Sequence, residues 1–264
     1  MSRPSDGRLV EFYDSSDEPG RLFRREGRVE LVRTKRLLQW VLPEAPSRIL
    51  DVGGADGVYA RWLLGLGYDV QLIDLSSRHV DVATAAGLTA QVGHARDLPF
   101  DTSSFDAVLL LGPLYHLTDA QARLAALREA SRVLRPQGVL AAAAVSRLAV
   151  AVDMYRKGRL GVAEALQQAK RIATHGYDDT GYGAGLFYFH TASELAAELE
   201  GAGFVGVRVH GIEGPVWPLI DPASTPDDAT VELAAAVADM ADDDASTAGA
   251  SAHLLALATA RADH

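Results

Sequence analysis

The chain has 264 residues, no cysteine, and a formal charge of −10 with its histidines neutral. That length can bury a sizeable core as one α/β domain, and the missing thiols exclude disulfides, thiolate metal sites and a cysteine nucleophile. The acidic balance argues against a nucleic-acid partner, whose phosphates call for a basic field.

Along the chain, residues 1–46 read as a polar loop followed by a helix, RLFRREGRVELVRTKRLLQWVL, with Leu31, Leu37, Leu38 and Val41 at helical spacing and prolines at 43 and 46 ending it. From Arg48 strands and helices alternate. RILDVGG, DVQLID, TAQVGHA, FDAVLLLG and GVLAAAAVS read as strands, with GVYARWLLGLG, SRHVDVATAAG and DAQARLAALREASRVL as helices between them. Strands apolar on both faces predict a parallel sheet covered by helices, in a doubly wound α/β order. The pattern breaks after Ser146: residues 147–175 look weakly helical, and GYDDTGYGAGLFYFH is rich in glycine and aromatics. Thr191 with Glu194 three residues later marks a capped helix. FVGVRVHGI is a further strand, PDDATVELAAAVADMADDD a helix and AHLLALATAR a last strand. The expected organisation is an N-terminal cap (1–46), a cofactor-binding core (47–146), a lid insertion (147–190) and a C-terminal completion of the core (191–264). No signal peptide or membrane-spanning run is visible, so a cytoplasmic protein without a membrane partner, monomer or homodimer, is expected.

The stretch ILDVGGADGVYA carries the ligand question. A dinucleotide fingerprint needs G-x-G-x-x-G, and neither Gly53 nor Gly54 starts that frame; no G-x-x-x-x-G-K-[ST] occurs either. What remains is Asp51, Gly53 and Gly57, then Asp74 at the end of the next strand, 23 positions after Asp51 and near the spacing at which a carboxylate reaches ribose hydroxyls. A carboxylate beside the turn disfavours a pyrophosphate and suits a nucleoside with a positive tail, which S-adenosylmethionine is.

These residues resemble the class I S-adenosylmethionine-dependent methyltransferases, especially small bacterial, actinobacterial-type enzymes acting on small molecules. ILDVGGADGVYA is similar to their D-x-G-x-G-x-G motif with Ala55 replacing the middle glycine, VQLIDLS to their second motif, GHARDLPFDTSSFDAVLLLGPLYHL to the third and fourth, and REASRVLRPQGVL to their R-x-L-x-P-G-G segment. The resemblance spans about Val10 to Phe204. It implies a seven-stranded, mostly parallel Rossmann-like sheet with an N-terminal helical segment and a helical, aromatic lid, and it implies S-adenosylmethionine as cofactor. Asp51, Gly53 and Gly57 would line its methionine part, Asp74 its ribose, and Leu75, Ala95 and Arg96 its adenine, with Leu111 beside it. His94 stands where the family has an aspartate. From the N-terminal helix, Arg33 is expected to reach the cofactor carboxylate.

For the acceptor, His116 in LGPLYHL is the candidate base, because it leaves a strand's carboxyl edge and titrates near neutrality; Tyr13 is the second catalytic candidate. Tyr115, Tyr182, Phe187, Tyr188, His190 and Trp217 would wall an aromatic pocket that excludes water. The expected partner is a small, flat acceptor, methylated at carbon, nitrogen or oxygen, an indole being one candidate. An RNA or protein methyltransferase and a non-catalytic S-adenosylmethionine-binding regulator stay open, and no metal is expected.

Overall fold

Both faces of the central strands are filled in the computed structural model, which describes residues 4–14, 18–24, 27–177, 186–221, 223–242 and 244–262. Strand β1 (Arg48–Val52) pairs in parallel with β2 (Asp69–Asp74) and β4 (Phe105–Leu110), β2 with β3 (Thr89–Val92), and β4 with the long β5 (Leu134–Ser146). Antiparallel pairing enters on the other side, where β8 (His253–Thr259) lies between β5 and β7 (Val205–Gly211). The order is β3-β2-β1-β4-β5-β8-β7. These are the seven strands expected. The two-residue β6 (Phe189–His190) adds an eighth at the end of β5.

Alternation along the strands sorts the core into two layers. Leu50, Val108, Leu110, Leu140 and Ala142 face α6 (Ala120–Val133) and α9 (Ala192–Gly201), which contribute Ala126, Leu127, Leu195 and Leu199. Ile49, Leu72, Leu109, Ala141 and Leu255 face the opposite way, onto Leu37 and Leu38 of α3 (Gly27–Val41), Ala60 and Leu63 of α4 (Val58–Gly65) and Ala83 of α5 (Ser77–Ala85). By the same parity Asp51, Asp74 and His253 belong to the α3 face, at the end of the sheet where β1, β2 and β4 finish. The topology therefore gathers charged groups from distant parts of the sequence at one edge.

Local signals hold where they have a partner. Thr191 and Glu194 form the reciprocal capping box at the start of α9, and Ser76 and Asp119 cap α5 and α6. The N-terminal expectation needs correcting. The segment read as loop contains helix α1 (Pro4–Asp14), and the single long helix is replaced by a short α2 (Glu18–Arg21) and α3. The apolar residues of α1 fall only in its second half, Leu9 to Tyr13; the helix is held by tertiary contacts, with Ser76 donating to Asp14 at 2.7 Å and Phe12 packing edge-on against Phe187 at 5.9 Å. Residues 147–175 resolve into α7 (Ala149–Arg156) and α8 (Ala163–His175), which pack Val150, Met154, Ala169 and Ile172 against Phe189 in a separate small core. Helix α10 (Asp228–Ala241) lies against α3 and ties to it through Arg28, Arg33 and Arg36. No helix among the described residues is long and apolar enough to cross a membrane.

Candidate active site

A cavity of about 260 Å³ opens over the carboxyl ends of β1, β2 and β4, with Leu9, Val10 and Tyr13 of α1 closing one side. Open α/β sheets bind ligands at this edge, where the strand order reverses. The turn after β1 explains itself residue by residue. Gly53 has φ of 71°, and a Cβ there would sit 2.8 Å from the Pro113 ring; a Cβ on Gly54 would sit 2.6 Å from Asp51 Oδ2. Ala55 is also left-handed, at φ 49°, a conformation that alanine adopts at a cost. It is held there by its N–H, which donates to Asp74 Oδ2 at 2.9 Å.

Asp74 thus links the turn to β2. Its second oxygen accepts from the Ser76 N–H at 2.9 Å, and the His79 ring lies 3.3 Å away. That contact raises the His79 pKa. Oδ2, with the Ala55 N–H as its one partner, keeps acceptor capacity, and Asp74 lines the cavity. Asp51 is different. It is buried, and its Oδ2 has no hydrogen-bond partner among the described residues. Burial, aided by the negative charge of Asp74, pushes its pKa up to about 7. An orphaned carboxyl lining a cavity is the expected complement of a cationic group supplied by a ligand.

Of the residues expected around a cofactor, Asp51, Gly53, Asp74, Leu75, Ala95, Arg96 and Leu111 all line this cavity, as does His94, whose Nδ1 accepts the Arg96 N–H at 3.0 Å. Gly57 does not. It turns the chain into α4 at φ 83°, and a Cβ would lie 2.2 Å from Leu88, so its role is packing. Arg33 is corrected too: it is buried away from the cavity and ion-paired to Asp239 at 3.0 Å and to Asp242 on α10 and just beyond it. From the N-terminal basic stretch it is Arg21 that lines the cavity, forking onto both oxygens of Glu30.

Where α1 closes the cavity the two catalytic candidates meet. Tyr13 Oη and His116 Nε2 are 2.5 Å apart, and His116 Nδ1 lies 3.0 Å from the Leu186 carbonyl. A carbonyl only accepts, so Nδ1 carries the proton and Nε2 offers its lone pair to the Tyr13 hydroxyl. Burial lowers the His116 pKa to about 4, against the opposing pull of the Leu186 carbonyl and the Asp74 charge. The imidazole is therefore neutral at pH 7. Tyr115 lines the cavity; Phe187, expected there too, does not line it but stacks on Tyr115 with ring centroids 6.3 Å apart and lies 4.7 Å from His116.

The other aromatic expectations are corrected. Tyr188 is clamped under the Arg123 guanidinium at 3.8 Å, His190 is fully buried with Nε2 3.4 Å from Glu198, and Trp217 is buried with its indole N–H donating to the Ala250 carbonyl. None of the three lines the cavity. Each has found a polar partner inside a packed region, which is what buried amphipathic rings usually do. Tyr182 lies outside the described residues.

Sequence reasoning missed the far wall: Arg21, Glu30, Tyr59, Ile212 and His253. They come from or directly follow five separate elements, and no spacing connects them.

Residues 50–142 match the family model described as a methyltransferase domain. Over that stretch the chain is similar to methyltransferase domains. An uncharacterized methyltransferase of Mycobacterium tuberculosis is 36% identical over 105 residues, 39% of this chain and 42% of that protein. A probable tRNA methyltransferase 9B of Homo sapiens is 32% identical over 108 residues, 40% of this chain and 23% of that protein. These similarities span less than half the length of either relative. Beyond the methyltransferase domain, the fold as a whole is shared with a Thermotoga maritima S-adenosylmethionine-dependent methyltransferase described as a possible histamine N-methyltransferase; the TM-score is 0.61 at 18% identity, over 97% of this chain and all of that one.

Proposed function

We propose that this chain transfers a methyl group from S-adenosylmethionine to a small, flat, largely apolar acceptor from secondary metabolism, in the cytoplasm, and that Tyr13 and His116 remove the acceptor's proton. The carrying observation is the Tyr13–His116 hydrogen bond in the same cavity as Asp51 and Asp74. The residues fit the cofactor: Asp74 for ribose hydroxyls, the orphaned Asp51 carboxyl for an ammonium, and Leu75, Ala95 and Arg96 for the adenine.

When bound, S-adenosylmethionine supplies an electrophilic methyl on a sulfonium. The protein's share is orientation and proton transfer. Enclosure by α1, Tyr115 and Leu186 holds the acceptor in place, and such positioning is worth roughly 7–11 kcal/mol in well-oriented cases. As the acceptor's nucleophilic atom becomes bonded to carbon, its acidified proton passes to Tyr13 Oη while the Tyr13 proton moves to His116 Nε2. The resulting imidazolium is stabilised by the Leu186 carbonyl at Nδ1 and by the negative charge of Asp74, the two influences that raise the His116 pKa.

The acidic charge of the chain supports a small acceptor over RNA, although one relative is named for tRNA. Incubating the protein with methyl-deuterated cofactor and a cell extract separates the readings. Label should appear in a small organic molecule by mass spectrometry; label confined to nuclease-digested RNA would overturn the small-molecule reading.

A further inference from the structure

The far wall of the cavity carries Arg21, Glu30 and His253, with Glu213 buried behind them, four charged side chains that the reaction above does not use. Glu213, just after β7, is 2% exposed and fully engaged: Oε2 accepts from the Ser251 hydroxyl at 2.7 Å and the His253 N–H at 2.9 Å, and Oε1 accepts from His253 Nδ1 at 2.5 Å. Glu30 has both oxygens occupied by Arg21. Burial by itself would raise the Glu30 pKa, but the positive charges of Arg21 and His253 outweigh it and hold it at about 2. Burial would likewise lower His253, and the two glutamates instead raise it to about 9. The carboxylates are thus sealed behind their own donors. What this wall presents to the cavity is hydrogen-bond donors.

His253 is the exposed member. Its side chain is 23% accessible and lines the cavity; Nδ1 is spent on Glu213, and Nε2 has no partner among the described residues. Its position also matters. Adenosine is assigned to the β1–β2–β3 side, whereas His253 begins β8, on the far side of β4 and β5 beside Ala143 and Ile212. We propose that His253, anchored by Glu213, donates from Nε2 to a carboxylate carried by the acceptor, so that the acceptor is an aromatic or otherwise flat acid rather than a neutral or cationic molecule. A charge-assisted hydrogen bond in a partly desolvated wall is about twice as strong as a neutral one, which is enough to select an acid over its amide.

This rests on the methyltransferase reading, because that reading is what leaves the β5–β8 side to the acceptor. The cofactor has a carboxylate too, and Glu30, Glu213 and His253 lie close enough together to hold a divalent cation. Arg21 on Glu30 and a protonated His253 both oppose a metal, and the test resolves all three. Calorimetry of wild-type protein saturated with S-adenosylhomocysteine, titrated with naphthoate or with its neutral amide, should show about tenfold tighter binding of the acid. His253→Gln should cut that preference to about twofold and leave S-adenosylhomocysteine affinity unchanged.

Equal binding of acid and amide by the wild type, or binding of neither, overturns the inference without any variant. Loss of S-adenosylhomocysteine affinity in His253→Gln with the acid preference kept assigns the residue to the cofactor and overturns it as well. So does a rise in melting temperature with manganese or zinc that Glu213→Gln abolishes. If wild-type protein binds no S-adenosylhomocysteine at all, the methyltransferase reading falls and takes this inference with it.

Discussion

The two ends of the cavity are built by opposite means. The end proposed for adenosine is assembled from consecutive turns of the chain: Asp51, the Gly53–Ala55 bend, Asp74 and the Ala95–Arg96 loop leave adjacent parallel strands within about 50 residues of one another. The end proposed for the acceptor draws Tyr13 from α1, His116 from the turn after β4, Leu186 from the segment before β6 and His253 from β8. One end is written in local spacing and the other only in tertiary packing. The local end can therefore be shared across many proteins, while the long-range end can change with the acceptor.

The largest expected effect falls on the long-range end. His116→Ala should lower turnover by about 10²- to 10⁴-fold, the range for a lost general base, while S-adenosylhomocysteine affinity stays within about twofold. Full turnover in that variant would mean that the pair only packs over the substrate. Tyr13→Phe should fall in the same direction, because a phenyl ring cannot pass a proton to Nε2.

The next effect compares the ends by pH. His116 is depressed from its ordinary 6.5 to about 4, so between these values the unfolded chain binds a proton that the folded one refuses. Its contribution to stability is full above 6.5 and is lost as pH falls toward 4. Asp51 is raised from 3.8 to about 7 and does the reverse: its contribution is present below 3.8 and is lost as pH rises toward 7. The stability of Asp51→Asn relative to wild type should therefore increase by about 3–4 kcal/mol between pH 4 and 7, and that of His116→Ala relative to wild type should decrease by about 3 kcal/mol between pH 4 and 6.5. Denaturant titrations across that range check both signs. Parallel curves for the variants and wild type would contradict the burial of these groups.

How much of this was legible follows the same division. The β1–β2–β4 core, the Thr191–Glu194 cap and the Asp51–Asp74 pair carry period, spacing or capping chemistry that a single sequence displays. Arg33 could not be told from Arg21, because both sit in one basic stretch and only packing decides that Arg33 meets Asp239 and Asp242 while Arg21 faces the cavity. Tyr188, His190 and Trp217 read as pocket residues by their type, yet each is claimed by a polar partner elsewhere: Arg123, Glu198 and the Ala250 carbonyl. His253 gives no signal at all. It reads as an interior strand residue until Glu213 and Glu30 are brought beside it.

A smaller effect sharpens the local end. Asp74→Ala should weaken S-adenosylhomocysteine binding by about 2–3 kcal/mol, as expected for hydrogen bonds to a charged group, whereas Arg33→Ala should leave binding unchanged and lower only thermal stability. Calorimetry on the two variants separates the residue that meets the ligand from the one that ties α3 to α10. The smallest effect is Ala55→Gly, which relieves a left-handed alanine and should stabilise the fold by about 1 kcal/mol. A loss of stability there would show that the turn prefers its alanine.

The most direct measurement is a crystal grown with S-adenosylhomocysteine. The ribose should lie on the Asp74 carboxylate, the amino group on Asp51 Oδ2, and the thioether should face the Tyr13–His116 pair. Density for the nucleoside anywhere else, or a sulfur turned away from Tyr13 and His116, would contradict the account.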